Sequence, residues 1–228
     1  IVKLVNGSSR AQAGPTIQKI HFYDPALSEA NLTRVTKRIC MQYLSANLLD
    51  TERRVTIIKS CTGSGKTQAT IDLARMKSMP VVSVCCRITQ VQEHYKTFQN
   101  KLPSPTVTYK SLSDFKPGVS NYVTTLDSLH KVEPQLSKVG MDRYILYLDE
   151  IHSLVDHLIR SPTLDKTRKE VFSSLSRIFK DAAKVVMSDN EIDDRDMDFI
   201  DMIRRVHGRF RQPVDFIVND YKKYSGIE

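Results

Sequence analysis

Two short stretches hold the residues on which chemistry could be built. The first is IIKSCTGSGKTQAT, Ile57 to Thr70. Gly63 and Gly65 let the backbone turn N–H groups inward, a geometry that cradles phosphate oxygens. A helix opening near Lys66 adds the positive end of its dipole. Lys66 is then placed to reach β- and γ-phosphates, and the Thr67 hydroxyl to meet Mg2+. The pattern G-x-x-x-x-G-K-[ST] asks for glycine where this chain has Ser60. The expected loop therefore comprises Ser60, Cys61, Thr62, Gly63, Ser64, Gly65, Lys66 and Thr67, and alone it leaves many phosphate-binding families open. The second stretch is RYILYLDEIHSL, in which an apolar run ends in Asp149-Glu150 and is followed by His152. Asp149, at a strand's carboxyl end, suits holding Mg2+ through water. Glu150 beside it can orient and deprotonate an attacking water. Adjacent carboxylates after a buried strand are costly unless used, although acids also favour a helix N-terminus for its dipole alone.

Elements that end at these residues must position them. Short apolar runs alternate with amphipathic stretches. The runs are VTIIK (55–59), PVVSVCC (80–86), TVTYK (106–110), NYVTT (121–125), RYILYLD (143–149), AKVVMSD (183–189) and VDFIV (214–218). Helices are predicted over about 66–77, 88–100, 126–131, 151–160, 164–181 and 193–206. Strands apolar along their whole length, separated by helices, indicate a mainly parallel sheet covered on both faces: a three-layer α/β domain. Its ligands belong at the carboxyl ends of the strands. Upstream, Leu32, Val35, Ile39, Tyr43 and Leu44 have a spacing that predicts a helix from Ser28, its N-cap, to about Leu49. Residues 1–27 contain NGSSRAQAGP and read as an arm or linker. Because the chain starts at Ile1, it is expected to be a piece of something longer.

A length of 228 residues admits one large α/β domain or two small ones. The net charge of +8 fits a nucleic-acid partner or simply a basic surface. No apolar run approaches the roughly 20 residues that cross a bilayer, so no membrane partner is expected. Cys40, Cys61, Cys85 and Cys86 form no C-x-x-C pair and no zinc spacing with histidine. Cys85 and Cys86 are expected to be buried and reduced, which fits an intracellular compartment.

The small residue at position 60 and the D-E-x-H spelling at 149–152 together resemble motifs I and II of superfamily 2 DExH-type helicases. Asp149 follows Lys66 by 83 residues (149 − 66), room for the strands and helices of a RecA-like core. VVSVCCRITQ, with Arg87 and Thr89, looks like motif Ia. VTTLDSLHKV, with Thr124, Thr125 and Ser128, looks like motif Ib, and Ser188-Asp189-Asn190 stands where motif III usually reads S-A-T. Singly, each of these also reads as ordinary strand-end polar residues. Together, CCRITQ, TTLDSLHKV, YLDEIHSLV and SDNEIDDRDMDFI resemble the replication-origin-binding helicases of herpesviruses and their relatives in large cytoplasmic DNA viruses, over roughly residues 55–220.

That resemblance implies a RecA-like P-loop NTPase domain over 28–228, the first motor domain of an ATP-dependent DNA helicase, using ATP and Mg2+ in viral DNA replication. Lys66 and Glu150 would be catalytic, Thr67 and Asp149 would hold the metal, and His152 would couple nucleotide state to nucleic acid. Arg87, Thr89, Thr124, Thr125 and Ser128 would touch DNA, single-stranded or forked. Gln42, 24 residues before Lys66 (66 − 42), stands near the position of an adenine-reading glutamine, or is a helix-surface residue. Departure from S-A-T leaves the role of Ser188 open. The acids Asp193, Asp194, Asp196 and Asp198 read as a solvated helix start. No Q-x-x-G-R-x-x-R pattern is present, and RRVHGRFRQ (204–212) lacks the full spacing. A second RecA-like domain, primase or other replication proteins are the implied partners, at the host nucleus or a cytoplasmic viral replication site. The alternative is a non-helicase P-loop ATPase such as an AAA+ type replication factor.

Overall fold

The computed structural model describes residues 27–116, 119–136, 143–206 and 212–222. In chain order the elements are α1 (Glu29–Leu32), β1 (Lys37–Ile39), β2 (Val55–Lys59), α2 (Lys66–Lys77), β3 (Val81–Cys85), α3 (Ile88–Lys101), β4 (Thr106–Thr108), β5 (Asn121–Thr125), α4 (Leu129–Leu136), β6 (Ile145–Asp149), α5 (Ile151–Arg160), α6 (Arg168–Asp181), β7 (Lys184–Asp189), α7 (Asp194–Val206) and β8 (Asp215–Asn219). The strands form one sheet in the order β1-β8-β2-β7-β6-β3-β5-β4, with every described pairing parallel.

Side chains alternate between the two faces along each central strand, and both faces are covered. Ile57, Leu146, Leu148, Val185 and Met187 enter one apolar cluster, together with side chains of α4, α5, α6 and α7. Ile58, Ile145, Tyr147 and Val186 enter the other, with residues of α2 and α3. Burial on both faces explains why these strands read as continuous apolar runs. The three-layer α/β expectation stands. The crossovers also bring the carboxyl ends of β2, β7, β6 and β3 side by side, with Asp149 in register with Ser188 and Lys59 with Asp189.

The helix expected over Ser28–Leu49 is not there. Ser28 does cap a helix, with Oγ accepting from Asn31 N, but α1 has one turn. After it Thr36 N donates to Phe216 O, and Lys37–Ile39 adds an eighth strand beside β8. The β-branched residues Thr33, Val35, Thr36 and Ile39 favour a strand, and an open β8 edge offers hydrogen bonds a helix would forgo. Leu32 and Tyr43, two members of the supposed apolar stripe, lie exposed. The helix expected at 126–131 is a 3-10 turn followed by α4, and the one expected from 164 starts at Arg168. The arm at 1–27 lies outside the described residues except for Leu27, and 207–211 of RRVHGRFRQ also lie outside.

Ile57 sits in the middle of β2 with no exposed surface. Ile57→Ala should cost about 2 to 5 kcal/mol of folding free energy, read as a lower urea midpoint at unchanged slope.

Candidate functional site

The loop after β2 is built as the glycines require. Gly63 and Gly65 have φ of 78° and 79°, and α2 opens at Lys66 with Gly65 as its N-cap. Ser60 explains itself in space. It is buried at 2% exposure, and its N–H donates to Asp189 O on β7. Its Oγ accepts from Asn219 Nδ2 at 3.0 Å and donates to Ser64 Oγ at 2.7 Å, and Ser64 Oγ donates to Cys61 O at 2.8 Å. A glycine at 60 would break this chain of bonds. Lys66 Nζ lies over the loop, donating to Ser60 O at 2.9 Å and Cys61 O at 3.1 Å.

Asp149 and Glu150 face this loop across a cavity of about 600 Å³ lined by Thr62, Gly63, Gly65, Lys66, Thr67, Asp149 and Glu150, together with Gln68, Gln90, Glu93, His94, Ser153, Asp189, Asn190 and Glu191. Ser60, Cys61, Ser64, Gln42 and His152 do not line it. Gln42 is exposed in a loop rather than on a helix, although the adjoining Leu44 N donates to Ser64 O at 2.8 Å.

Around the cavity, Tyr147, His94 and Asn219 escaped the sequence reading, and Ser188 stood in it with its role open. Ser188 Oγ donates to Asp149 Oδ1 at 2.8 Å, which gives Ser188 a partner in place of an open role. Tyr147 OH lies 3.2 Å from both Ser188 Oγ and Thr67 Oγ1. His94 Nε2 is 3.2 Å from Asp149 Oδ2, and its Nδ1 is 2.9 Å from Ser83 Oγ. Asn219 joins Ser60 to the loop at Met41. A signal for His94 existed: Val91, His94 and Phe98 form the buried stripe of α3, with one polar member.

Burial pushes the Asp149 carboxyl up, but the hydrogen bond and charge of His94 and the hydrogen bond from Ser188 outweigh it and hold the group below its usual value. Burial pushes His94 down, while its bonds to Asp149 and Cys85 carry it up to about 10. Glu150 is raised, first by burial and then by the Asp149 charge. Glu150 also has φ 53° and ψ 55°, a left-handed backbone that non-glycine residues seldom adopt. It breaks the strand between two neighbouring carboxylates that both line the cavity.

His152 leads elsewhere. Its N–H donates to Asp189 Oδ2 at 2.9 Å. Nδ1 lies 3.0 Å from Asp196 Oδ2, and Nε2 lies 3.2 Å from Arg195 Nη2, so Nδ1 carries the proton and Nε2 accepts. Of the four acids expected to form a solvated start to α7, only Asp198 is exposed. Asp196 has no exposed surface; Asp193 N donates to Asp196 Oδ2 and Asp196 N to Asp193 Oδ1, each at 3.0 Å, a reciprocal cap. Asp194 Oδ1 accepts from Ser28 N and Asn31 Nδ2. His152, Asp193 and Asp196 bring potential metal ligands within 4.8 Å of one another, but this capping pattern already uses them.

Of the five residues expected at nucleic acid, Arg87 and Thr89 are exposed, whereas Thr124, Thr125 and Ser128 are buried. Arg87 borders a second cavity of about 600 Å³ with Cys86, His152, Ser153, Asp156, His157, Arg160, Ser161 and Arg195. Cys85 is buried as expected; Cys86 is only partly so, and both are free thiols. Among the described residues, no helix is long and apolar enough to cross a membrane.

Burial raises the Asp196 carboxyl to about 6. An acid whose folded value is raised ionises first in the unfolded chain, so its contribution to stability is present below about pH 4 and is lost as pH climbs towards about 6. Asp196→Asn keeps an acceptor for His152 and removes the ionisation. Urea midpoints at pH 4.5, 6 and 7.5 should fall less steeply with pH in the variant than in the unaltered chain.

Residues 33–225 match the family described as Origin of replication binding protein. The Replication origin-binding protein of Equine herpesvirus 1 (strain Ab4p) is 28% identical over 177 residues, covering 74% of this chain and 19% of that protein. The chain thus spans about a fifth of that relative's length. Among solved structures, S. cerevisiae Dbp5 bound to Nup159, Gle1, IP6 and ADP superposes with a TM-score of 0.51 at 14% identity, covering 75% of this chain and 45% of that one. Mss116p bound to ssRNA and AMP-PNP gives a TM-score of 0.50 at 14% identity, covering 78% and 38%. These likenesses are of fold, the RecA-like arrangement of a parallel sheet between helical layers. With the match running through all eight strands, the chain belongs to the origin of replication binding protein family.

Proposed function

We propose that residues 28–228 form the ATP-binding motor domain of an ATP-dependent DNA helicase that acts in viral DNA replication. The observation that carries this reading is the loop with Lys66 and Thr67 facing Asp149 and Glu150 across one cavity. The family of origin-binding proteins supports the replication role.

The residues fit a magnesium nucleotide. Thr67 and Asp149 offer oxygen ligands, the chemistry a hard divalent cation takes, and each is already oriented, Thr67 by Tyr147 and Asp149 by Ser188. Mg2+ bound there would neutralise charge on the β- and γ-phosphates. Lys66 exchanges its loop carbonyls for phosphate oxygens. Glu150 orients a water and takes its proton, a task suited to a carboxylate with a raised proton affinity. His152 couples this cavity to the start of α7. Gln42, held near the loop by Leu44, reads adenine. A second RecA-like domain would bring a further cation to the charge that develops on the phosphate in the transition state.

Single-stranded or forked DNA lies along the second cavity, gripped through its phosphates by Arg87 and the exposed Arg160, with the exposed Thr89 two residues beyond Arg87 at the start of α3. Thr124, Thr125 and Ser128 shape that strand end from within. Primase and other replication proteins are further partners, in the host nucleus or at a cytoplasmic viral replication site.

In the longer parent protein, Glu150→Gln should retain ATP binding and lose DNA-stimulated hydrolysis by at least about a hundredfold. Unaltered hydrolysis removes Glu150 as the base. Lys66→Ala should abolish nucleotide binding. Affinity for single-stranded DNA should fall with salt at a log–log slope of about −2 or steeper, the value for about three phosphate contacts; a flat response contradicts the phosphate grip.

A further inference from the structure

We propose that His94 is a positioning residue for Asp149, fixing the orientation in which that carboxylate receives Mg2+; the inference rests on the magnesium-nucleotide reading of the cavity. His94 comes from α3, outside every motif of the sequence reading. It is buried at 4% exposure yet borders the same cavity as Lys66, Thr67 and Asp149. A buried histidine that merely fills space would be satisfied by Ser83 Oγ, 2.9 Å from Nδ1. Here the other ring nitrogen reaches Asp149 Oδ2 at 3.2 Å.

Three restraints fix the ring. Ser83 holds Nδ1. Tyr147 stacks on it at 5.7 Å between centroids and 16° between planes, and Phe98 stacks at 5.6 Å and 27°. The ring therefore transmits a fixed direction to Asp149. Ser188 takes the other carboxylate oxygen, Oδ1, at 2.8 Å. With one donor on each oxygen, the carboxylate cannot rotate without breaking two bonds, and each oxygen keeps a lone pair for the metal or its waters. Partners that orient a metal-holding carboxylate in this way typically matter 10- to 100-fold, roughly, for metal affinity.

Two polar substitutions separate the halves of the contact. His94→Asn places its amide near the position of Nδ1 and can keep Ser83, but it falls short of Asp149. His94→Gln reaches the position of Nε2 and keeps the donor to Asp149. The measurement is binding of a fluorescent, non-hydrolysed ATP analogue as Mg2+ is titrated, with metal-free binding and thermal midpoint as controls. His94→Asn should raise the half-saturating Mg2+ concentration about tenfold or more, while His94→Gln stays within about threefold of the unaltered chain. Metal-free binding should be the same in all three. Equal Mg2+ requirement in the two variants, or parallel loss of metal-free binding, overturns the positioning role. If the unaltered chain binds the analogue with no Mg2+ effect, the magnesium-nucleotide reading fails and this inference falls with it.

Discussion

The Asp149 carboxylate, with 13% of its side chain exposed, constrains everything around it. A carboxylate so placed must be neutralised or hydrogen-bonded on both oxygens, because an unpaired buried charge costs several kcal/mol or more. Its partners come from two directions: Ser188 on the adjacent strand β7 and His94 on helix α3, packed over the sheet. Tyr147, two residues back on the same face of β6, ties Ser188 to Thr67 at the start of α2. The register that puts Asp149 beside Ser188 is therefore fixed twice, by apolar alternation and by this polar chain. A slip of one residue would bury Leu148 where the carboxylate belongs and turn Asp149 into the sheet.

The same strand end also separates two acids by backbone conformation. Asp149 completes the extended strand and faces inward to its donors. Glu150, in the left-handed region, breaks from the strand and starts α5. Glycine would adopt that conformation without steric strain. Holding glutamate there costs about 1 to 3 kcal/mol, a burden usually met where geometry matters to function. Environment then sets the two apart: Asp149 lies among donors and keeps its charge, whereas burial and the neighbouring Asp149 charge make Glu150 hold its proton more tightly.

Much of this was legible in the sequence, and the exceptions share a cause. Parallel strands buried on both faces announce themselves as apolar runs, and each of the seven runs read from the sequence holds a strand, β4 at the edge included. The loop glycines and the Asp149-Glu150 pair stand at strand ends, where local spacing is informative. Lys37–Ile39 failed because its pairing with β8 spans about 180 residues of chain, which no local periodicity can register. Asp196 failed for a related reason: four acids in six residues look solvated until a histidine from α5 arrives to share one of them. His94 stands out in a string of letters only as the polar member of an apolar stripe, and Asn219 not at all; each gains its role from a partner brought close by the crossovers. Thr124 and Thr125 show the converse error, since strand-end hydroxyls can turn inward as readily as outward.

The first turn of α5 is the wall between the two cavities, and Ser153 lines both. Cys86 Sγ, at the end of β3, donates to Ser153 O and pins that turn from the other side. His152, one residue earlier, reaches Asp189 and Asp196, so the start of α5 is bound to β7 and α7 together. Any adjustment of Glu150 on the side of the first cavity therefore bears on a segment whose opposite face carries His152, Asp156 and Arg160. Interiors packed this densely rearrange between discrete arrangements rather than deforming gradually. On the proposed reading, a short and rigid helical turn, not a long path, is the mechanical link from phosphate chemistry to the grip on DNA.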